Sequence, residues 1–407
     1  HLDKISGNND SEFVNALIRG AVAILPPSEQ TVLANDIFKW SSQQGLSVIG
    51  LDSANILDQY WNGTNLQLFD FHPIPASLPQ LGNLSLPLVA TPEVQRTIHT
   101  VKPWIEKGEP VLLVGPRGSG KTTVLNHIFK MLTSTSIVVV NCSAKTDANS
   151  LMSKLMQQCQ IASTATGQVL RPRATEKALV FFKNFDLPRP DKWGTVQLIS
   201  FLQQLLTHGG FYNEELQWIN IERIQFVFTM SSAEKRPISS RFTSIVRIAS
   251  IHESNQQQLV QIYSHYLTVI LKDTPFKDSA KVASIATSIV RVFQKFKSEF
   301  SADEYPHYDF TFRDITKWVI MLQRYIHNSN TFTPNIVIYE GLRHFVDRLA
   351  NLQDRQRLAK DIRNIFHDNL SNFDDTDFEY TNYQIESNRQ FVLSKQKDQL
   401  HKMHSEN

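Results

Sequence analysis

Residues 111–123 read VLLVGPRGSGKTT, and the rest of the chain is interpreted outward from this stretch. Four apolar residues at 111–114 predict a short buried strand, and the apolar spacing after Lys121 predicts a helix. The segment between them, GPRGSGKT at 115–122, matches the Walker A pattern in its strand-to-helix context. Glycines suit this loop because residues without Cβ tolerate positive φ and let backbone N–H groups surround a phosphate chain.

Two side chains of the loop carry the predicted phosphate chemistry. Lys121 would reach the β and γ phosphates, and the Thr122 hydroxyl would be a ligand of a magnesium ion. The partial positive charge of the helix N-terminus adds to the attraction. The alternative is a glycine-rich turn with an incidental lysine. It does not account for the apolar strand before the loop or for the helical pattern after it. With ATP or ADP as ligand, the predicted binding residues are Gly115, Pro116, Arg117, Gly118, Ser119, Gly120, Lys121, Thr122 and Thr123.

A second candidate for nucleotide binding precedes the loop. Leu88 and Val89 lie just before a predicted helix that begins at Pro92 and has Thr91 as its N-cap. Many P-loop folds form the adenine pocket at this distance before the loop, so Leu88 and Val89 are candidate base-binding residues. A plain capped helix explains the same residues equally well.

Composition limits the class of protein. A chain of 407 residues with 41% hydrophobic content can hold two or three domains. We expect no membrane span and no signal peptide, because no apolar run is long enough. Cys142 and Cys159 are too few for a disulfide framework and predict buried apolar residues in a reducing compartment. The balance of 41 basic and 39 acidic residues argues against nucleic acid as a partner, and a start without methionine suggests a fragment.

Strand and helix signals alternate through the middle of the chain and then give way to helices alone. This alternation predicts a mostly parallel sheet covered on both faces, followed by a helical domain. Before the sheet, helices are predicted at 11–25 and 30–44, then a poorly periodic connector at about 45–85. The predicted strands are 111–114, 136–141, 178–182 and 224–229, and the later helices are 148–159, 196–207, 254–271, 278–299, 309–329 and 335–350.

Several segments, taken together, resemble one protein family. They are DLPRPDKWGT at 186–195, HGGFY at 208–212 followed by Trp218, RFTSIVR at 241–247 and HYDFTFRDITKWV at 307–319. A P-loop sheet followed by a helical domain is the AAA+ arrangement, and these segments are similar to the third AAA+ module of dynein heavy chains. Their details are most similar to the second cytoplasmic class, the retrograde motor of intraflagellar transport. The resemblance covers most of 85–350.

The resemblance implies a fold and a domain organisation. The fold would be an AAA+ P-loop NTPase, with a parallel-sheet α/β/α large domain followed by a helical small (lid) domain. The large domain would cover 73–250 and the small domain 251–350. Residues 1–72 would be the end of the preceding module and a connector, and 351–407 a C-terminal helical or disordered tail.

At the positions where AAA+ ATPases have the residues that support hydrolysis, this chain has different residues. In AAA+ ATPases a strand after the P-loop ends in aspartate and glutamate, which support magnesium and polarise the attacking water. The resemblance aligns Lys183 and Asn184 with these acids, and neither is a carboxylate. Asp186 would share a strand face with Asn184 but lie about 7 Å away along the strand. We therefore expect impaired hydrolysis, with rescue by Asp186 as the alternative.

Three further positions receive roles from the resemblance. Ser231 occupies the place of a sensor asparagine, although a serine at a strand end can simply satisfy a local backbone group. Arg313 matches a second sensor that binds phosphate oxygens from the lid domain, and a solvated helix arginine is its alternative. Arg241 matches an arginine finger offered in trans to the preceding module, and an internal salt bridge explains it nearly as well.

These residues predict a nucleotide-binding module of a dynein motor ring with a structural or regulatory role. The implied partners are the neighbouring AAA+ modules of the same heavy chain, other dynein subunits, and microtubules through the parent motor alone. The implied locations are cytoplasm, cytoskeleton and cilium. Two alternatives stay open: a catalytically active AAA+ ATPase module, and a clamp-loader or origin-type AAA+ ATPase that acts on nucleic acid.

Overall fold

A computed structural model describes residues 10–46, 55–62, 64–70, 88–165, 167–232, 238–300, 305, 307–325, 334–369, 382–385 and 391–394. The chain forms two compact units. The first consists of His1–His72 with Ala90–Glu253, and the second of Pro73–Val89 with Ser254–Asn407. Much of the predicted connector at 45–85 and of the predicted tail lies outside the described residues. The predicted domain boundaries stay predictions.

The first unit alternates helices and strands along most of its length. Its helices are α1 (Asp10–Val22), α2 (Pro27–Gln43), α3 (Pro92–Glu106), α4 (Lys121–Lys130), α5 (Ala148–Gln158), α6 (Gln197–His208) and α7 (Ser240–Ile245). Its strands are β1 (Gln59–Trp61), β2 (Leu66–Leu68), β3 (Val111–Gly115), β4 (Thr135–Asn141), β5 (Cys159–Thr164), β6 (Gly167–Pro172), β7 (Lys177–Lys183), β8 (Gly210–Tyr212), β9 (Trp218–Ile221), β10 (Ile224–Ser231) and β11 (Arg247–Ser250).

Five parallel strands form the central sheet of this unit, in the order β11-β3-β10-β7-β4. Strand β3 lies inside the sheet, with Val111 opposite Arg247 of β11 and opposite Val227 of β10. The central strands β7 and β10 are buried along most of their length, as continuous apolar strands are when helices cover both faces of a sheet. The predicted α/β architecture with a parallel sheet is confirmed.

Four phenylalanines form the aromatic centre of the core beneath this sheet. Phe182 and Phe228 come from β7 and β10, Phe242 comes from α7, and Phe185 comes from the segment just after β7. Neighbouring ring centroids lie 4.7 to 5.9 Å apart, in the range where aromatic pairs attract each other. Phe185 therefore ties the loop beyond β7 to the core.

The sequence patterns missed the small sheets of the first unit. Strands β5, β6, β9 and β8 form a second sheet in that order, and β1 pairs with β2 inside the predicted connector. Most of these strands are three to six residues long and carry exposed polar residues, so they lack a strong two-residue period. Strand β11 was missed for the same reason, because it is four residues long and starts at an arginine.

The second unit is mainly helical, as predicted from the periodicity after residue 254. Its helices are α8 (Gln256–Ile270), α9 (Ser279–Glu299), α10 (Phe312–Met321), α11 (Pro334–Gly341) and α12 (Leu352–Asn369). A 3-10 turn follows α10 and a π-helical turn follows α11. Trp318, Phe296 and Phe345 are fully or almost fully buried, and the ring of Phe345 contacts both of the others. These aromatic side chains form the core of the unit.

The C-terminal part, expected to be a helical or disordered tail, contains one helix and two short strands among its described residues. Helix α12 occupies its beginning, and the antiparallel strands β12 (Asn382–Ile385) and β13 (Phe391–Ser394) pair further on. The mixed polar composition of this stretch concealed both strands, because each contributes only two or three apolar residues to the pattern.

Composition predicted that both cysteines are buried and that no segment spans a membrane. Cys142 and Cys159 are buried free cysteines, which confirms their interpretation as small core residues. Burial raises the pKa of the Cys142 thiol to about 12, and the charge of Asp186 acts in the same direction. Among the described residues, no helix has the length and apolar character needed to span a membrane.

Substituting Gly341 by alanine should destabilise the second unit. A Cβ atom at Gly341 would lie 2.4 Å from Cζ2 of Trp318, a fully buried ring whose Nε1 donates to the carbonyl of Val337. We expect Gly341→Ala to lower the free energy of unfolding by about 1 to 3 kcal/mol, measured by denaturant titration with tryptophan fluorescence. Gly20→Ala in α1 is the matched control, because nothing lies within 4 Å of its Cβ position. Equal stability of the two variants would contradict the packing argument.

Candidate functional site

The predicted phosphate-binding loop connects β3 to α4. Gly115 ends the strand beside the carbonyl oxygen of Ile251, which would lie 2.4 Å from any Cβ at this position. Gly118 and Gly120 have φ values of 80° and 86°, in the left-handed region that favours glycine. Helix α4 begins at Lys121 directly after Gly120. Each glycine of the motif thus meets a backbone requirement of the turn.

Lys121 folds back over the loop that precedes it. Its Nζ atom donates to the backbone carbonyls of Gly115 at 2.7 Å and Pro116 at 2.6 Å. Burial lowers the pKa of Lys121 to about 8, and the charge of Asp186 opposes part of this shift. The ammonium group is therefore held at the mouth of the loop and is easier to deprotonate than an ordinary lysine.

The other loop residues differ in exposure. Arg117 and Thr123 are exposed, and Thr122 is half-buried in the first turn of α4. The Oγ atom of Ser119 is buried and has no hydrogen-bond partner among the described residues. Within the described ranges, no group of three or more histidine, cysteine, aspartate or glutamate residues could hold a metal ion by itself. Magnesium at this loop would depend on Thr122 and on the phosphates of a nucleotide.

The strand that should carry catalytic acids ends in a cation. Lys183 is the last residue of β7, and its Nζ atom lies 5.5 Å from the ring centroid of Phe181. Phe181 packs edge-on against Phe129 of α4, so Lys183 lies on the sheet face that α4 covers. The next residue, Asn184, is exposed and has a φ of 55°. The chain leaves the strand conformation at this point.

The turn at Asn184 changes the expected position of Asp186. Contrary to expectation, strand alternation does not continue to Asp186, because β7 ends at Lys183 and Asn184 turns the chain. Phe185 instead donates its backbone N–H to the carbonyl of Thr229, and the Oδ1 atom of Asp186 accepts from the backbone N–H of Ser231 at 3.2 Å. The charge of Asp186 also raises the pKa of Lys121. A carboxylate is therefore close to the loop lysine.

Ser231 lies at the end of β10, directly opposite Gly115 in the parallel register. Only 8% of Ser231 is exposed, and its backbone N–H makes the contact with Asp186. The following residue, Ser232, donates its N–H to the carbonyl of Gly115 at 3.0 Å. The predicted sensor position is thus adjacent to the phosphate loop, whereas the sensor role of the Ser231 hydroxyl stays a prediction.

Arg241 and Arg313 are both exposed, each in the first turn of a short helix. Arg241 borders an open groove of about 680 Å³ together with His208, Tyr212 and Trp218. Among the described residues, no carboxylate is within ion-pair distance of Arg241, which weakens the internal salt-bridge alternative. The predicted roles of Arg241 as a trans finger and of Arg313 as a phosphate sensor stay predictions.

The segment before the loop has the predicted cap. The Oγ1 atom of Thr91 accepts from the backbone N–H of Val94, and Pro92 is the first residue of α3. Val89 is buried and Leu88 is half-buried. The adenine-binding role of Leu88 and Val89 stays a prediction, since a cap and a buried valine suit both alternatives.

Comparison with known proteins identifies the family. A family model described as the P-loop containing dynein motor region matches residues 78–254, and one described as the dynein heavy chain ATPase lid domain matches 266–355. The chain belongs to the dynein heavy-chain family. Its resemblance to dynein and its AAA+ fold, both predicted from sequence, are thereby confirmed. An AAA+ P-loop region of a dynein is a nucleotide-binding domain.

The chain is also similar in sequence to individual dynein heavy chains. This dynein segment is 38% identical over 366 residues to cytoplasmic dynein 2 heavy chain 1 of Tripneustes gratilla, and 35% identical over 374 residues to that of Homo sapiens. It is 31% identical over 302 residues to the cytoplasmic dynein heavy chain of Caenorhabditis elegans. These alignments cover 85%, 87% and 70% of the segment, but only 7 to 9% of each relative.

The altered pKa of Lys121 predicts how nucleotide binding by this dynein segment depends on pH. Phosphate binding requires the protonated amine, and the free protein loses this proton near its pKa of about 8. Binding above that pH must take up a proton, so ADP affinity should fall roughly tenfold between about pH 7 and about pH 9. Calorimetric titrations at several pH values measure this dependence.

The matched control is Lys121→Arg, because a guanidinium stays charged throughout this range. Its ADP affinity should be nearly independent of pH. Equal pH dependence in the parent protein and in Lys121→Arg would show that Lys121 is not the titrating group.

Proposed function

We propose that this segment is the third AAA+ module of its dynein heavy chain and that it binds ATP or ADP but hydrolyses ATP poorly. The observation that carries the proposal is the end of β7. Lys183 contributes a cation to the face covered by α4, and Asn184 is exposed in a left-handed turn. Neither residue can accept a proton from water at neutral pH as a carboxylate does.

Retention of the phosphate loop supports nucleotide binding in this proposal. The glycine conformations, the position of Lys121 and the start of α4 are those that a phosphate cradle needs. A nucleotide that is bound and rarely hydrolysed acts as a structural or regulatory ligand of the motor ring. Thr122 would contribute the protein ligand of any accompanying magnesium ion.

The proposed cellular role of this chain is that of the whole dynein motor to which it belongs. The relatives are named cytoplasmic dynein 2 heavy chains, and we extend to this chain a part in retrograde intraflagellar transport along ciliary microtubules. The partners are then neighbouring AAA+ modules and other dynein subunits, with Arg241 offered to the nucleotide of the preceding module. Microtubule contact belongs to other parts of the heavy chain. The nucleic-acid alternative is not retained, because both matching family models describe dynein.

Replacing Lys121 by alanine should reduce nucleotide affinity and remove nucleotide-dependent stabilisation. Loss of a charge-assisted contact to phosphate typically weakens binding roughly 10- to 100-fold. Because a ligand of the folded state raises stability by mass action, ATP or ADP should raise the Tm of the parent protein and not that of Lys121→Ala. Lys130→Ala, at the exposed end of α4, is the control that keeps parental behaviour. A parental Tm that is unaffected by either nucleotide would contradict nucleotide binding.

The contact between Asp186 and the Ser231 N–H supports one competing function, a working ATPase in which Asp186 replaces the missing acids. Single-turnover phosphate release separates the two functions. Our proposal expects very slow release that Asp186→Asn leaves unchanged, since asparagine keeps an oxygen to accept from Ser231 but lacks the negative charge. Measurable release by the parent that Asp186→Asn abolishes, with ATP binding intact, would establish the active enzyme instead.

A further inference from the structure

A lysine ends a strand close to the phosphate loop. Strands β7, β10 and β3 are parallel and adjacent in the sheet, so their carboxyl ends meet at one edge. Through β10, the register sets Phe182 level with Leu112 of β3. Lys183 is therefore level with Leu113, shortly before Gly115 ends that strand. Two interstrand spacings, about 10 Å, separate β7 from β3.

The side chain of Lys183 lies on the sheet face that α4 covers. Its Nζ atom is 5.5 Å from the ring centroid of Phe181, and that ring packs against Phe129 of α4 with 5.2 Å between centroids. Thr122 lies about two helical turns before Phe129 on the same side of α4. Because α4 begins at the carboxyl edge of the sheet, Lys183 on the strand and Thr122 on the helix both lie on the phosphate-loop side of this aromatic pair.

Magnesium does not suit the donors at this place. The ion prefers an octahedron of oxygen ligands, and P-loop NTPases hold it with the loop serine or threonine and a Walker B aspartate. Lys183 occupies the position that corresponds to this aspartate, offers no oxygen and carries a positive charge. A fixed cation repels a divalent ion beside it. Of the two metal supports expected from the motif, only Thr122 is present.

The nearby carboxylate of Asp186 already has partners. Its Oδ1 atom accepts from the backbone N–H of Ser231 at 3.2 Å, and its charge favours the protonated form of Lys121. This carboxylate therefore compensates the charge of the loop lysine. A magnesium ion would have to compete with Lys121 for it.

The protein supplies its own positive charge for a phosphate chain. Lys121 and Lys183 contribute two ammonium groups near the carboxyl edge of the sheet, and the N-terminus of α4 adds its partial charge. A lysine ammonium binds phosphate as a point charge. Together these groups can compensate a diphosphate without a divalent cation.

We propose that the phosphate loop binds metal-free nucleotide, with the positive charge of Lys183 in place of a magnesium ion. The ligand is then a free nucleoside diphosphate or triphosphate rather than its magnesium complex. This inference rests on the proposed function, because it requires a nucleotide at the loop. It also gives slow hydrolysis a second physical cause, since attack on the γ-phosphate would lack the charge stabilisation that a metal supplies.

Calorimetric titration of the nucleotide-free chain with ADP tests this preference. Magnesium binds ADP in solution and lowers the concentration of the free form, so a site for metal-free ADP must compete with the metal. With magnesium at about ten times its own dissociation constant for ADP, the apparent affinity should be roughly tenfold lower than in EDTA at equal ionic strength.

Electron paramagnetic resonance of Mn²⁺, used in place of magnesium, gives an independent measurement. Free Mn²⁺ has a sharp signal that is lost when the ion binds ADP. Adding the parent protein to a mixture of Mn²⁺ and ADP should release the metal from ADP and restore the signal.

Lys183→Asp should reduce the preference for metal-free ADP, because the substitution removes the repelling cation and supplies a carboxylate at the same place. Lys177→Asp is the matched control, since it makes the same change in charge at the exposed opposite end of β7. It should keep the parental preference. If Lys183→Asp does not fold, the two measurements on the parent protein decide.

Three outcomes would overturn the inference. Binding of ADP by the parent that is equal or tighter in magnesium than in EDTA would overturn it and leave nucleotide binding intact. The same preference in Lys183→Asp as in the parent would overturn it, because Lys183 would not be the source of the preference. Absence of ADP binding in both buffers would overturn the proposed function and this inference with it.

Discussion

Gly115 is held between neighbouring backbone segments, and much of the first unit depends on this contact. The carbonyl of Ile251 occupies the space of a side chain at Gly115, Ser232 donates to the carbonyl of Gly115, and Ile251 donates to that of Val114. These contacts bring the carboxyl ends of β10 and β11 against the start of the phosphate loop. In parallel sheets, ligand sites form at such strand ends. Packing at one glycine thus relates the position of the loop to that of Ser231.

The turn after β7 shows how core packing determines chemistry. Phe185 is 1% exposed and packs on the rings of Phe182, Phe228 and Phe242, and burial of such a side chain contributes about 2 to 3 kcal/mol. A left-handed residue costs less, and asparagine tolerates this conformation better than most residues. The chain therefore turns at Asn184 to bury Phe185. As a consequence, Asp186 reaches the backbone of Ser231, close enough for its charge to affect Lys121.

The helices before the phosphate loop belong to the same compact unit as the sheet. Ser250 of β11 donates both its N–H and its hydroxyl to the carbonyl of Ala23, just beyond α1. Arg19 of α1 and Arg96 of α3 both line one small pocket of this unit. The assignment of residues 1–72 to the end of a preceding module and a connector stays a prediction, and helix α1 within this range is attached to β11 through Ala23 and Ser250.

The sequence by itself determined the phosphate loop, the parallel sheet and the helical second unit, because strong apolar periods and a glycine motif act locally. It also determined the family, through segments such as 186–195 and 307–319. Tertiary structure alone decided the position of Asp186 and the short strands of the second sheet. Each of these depends on residues distant in sequence: on the burial of Phe185, and on pairing between strands too short to show a period. Local sequence patterns predict the secondary structure of a segment. The positions of its polar groups depend on tertiary contacts with residues that are distant in sequence.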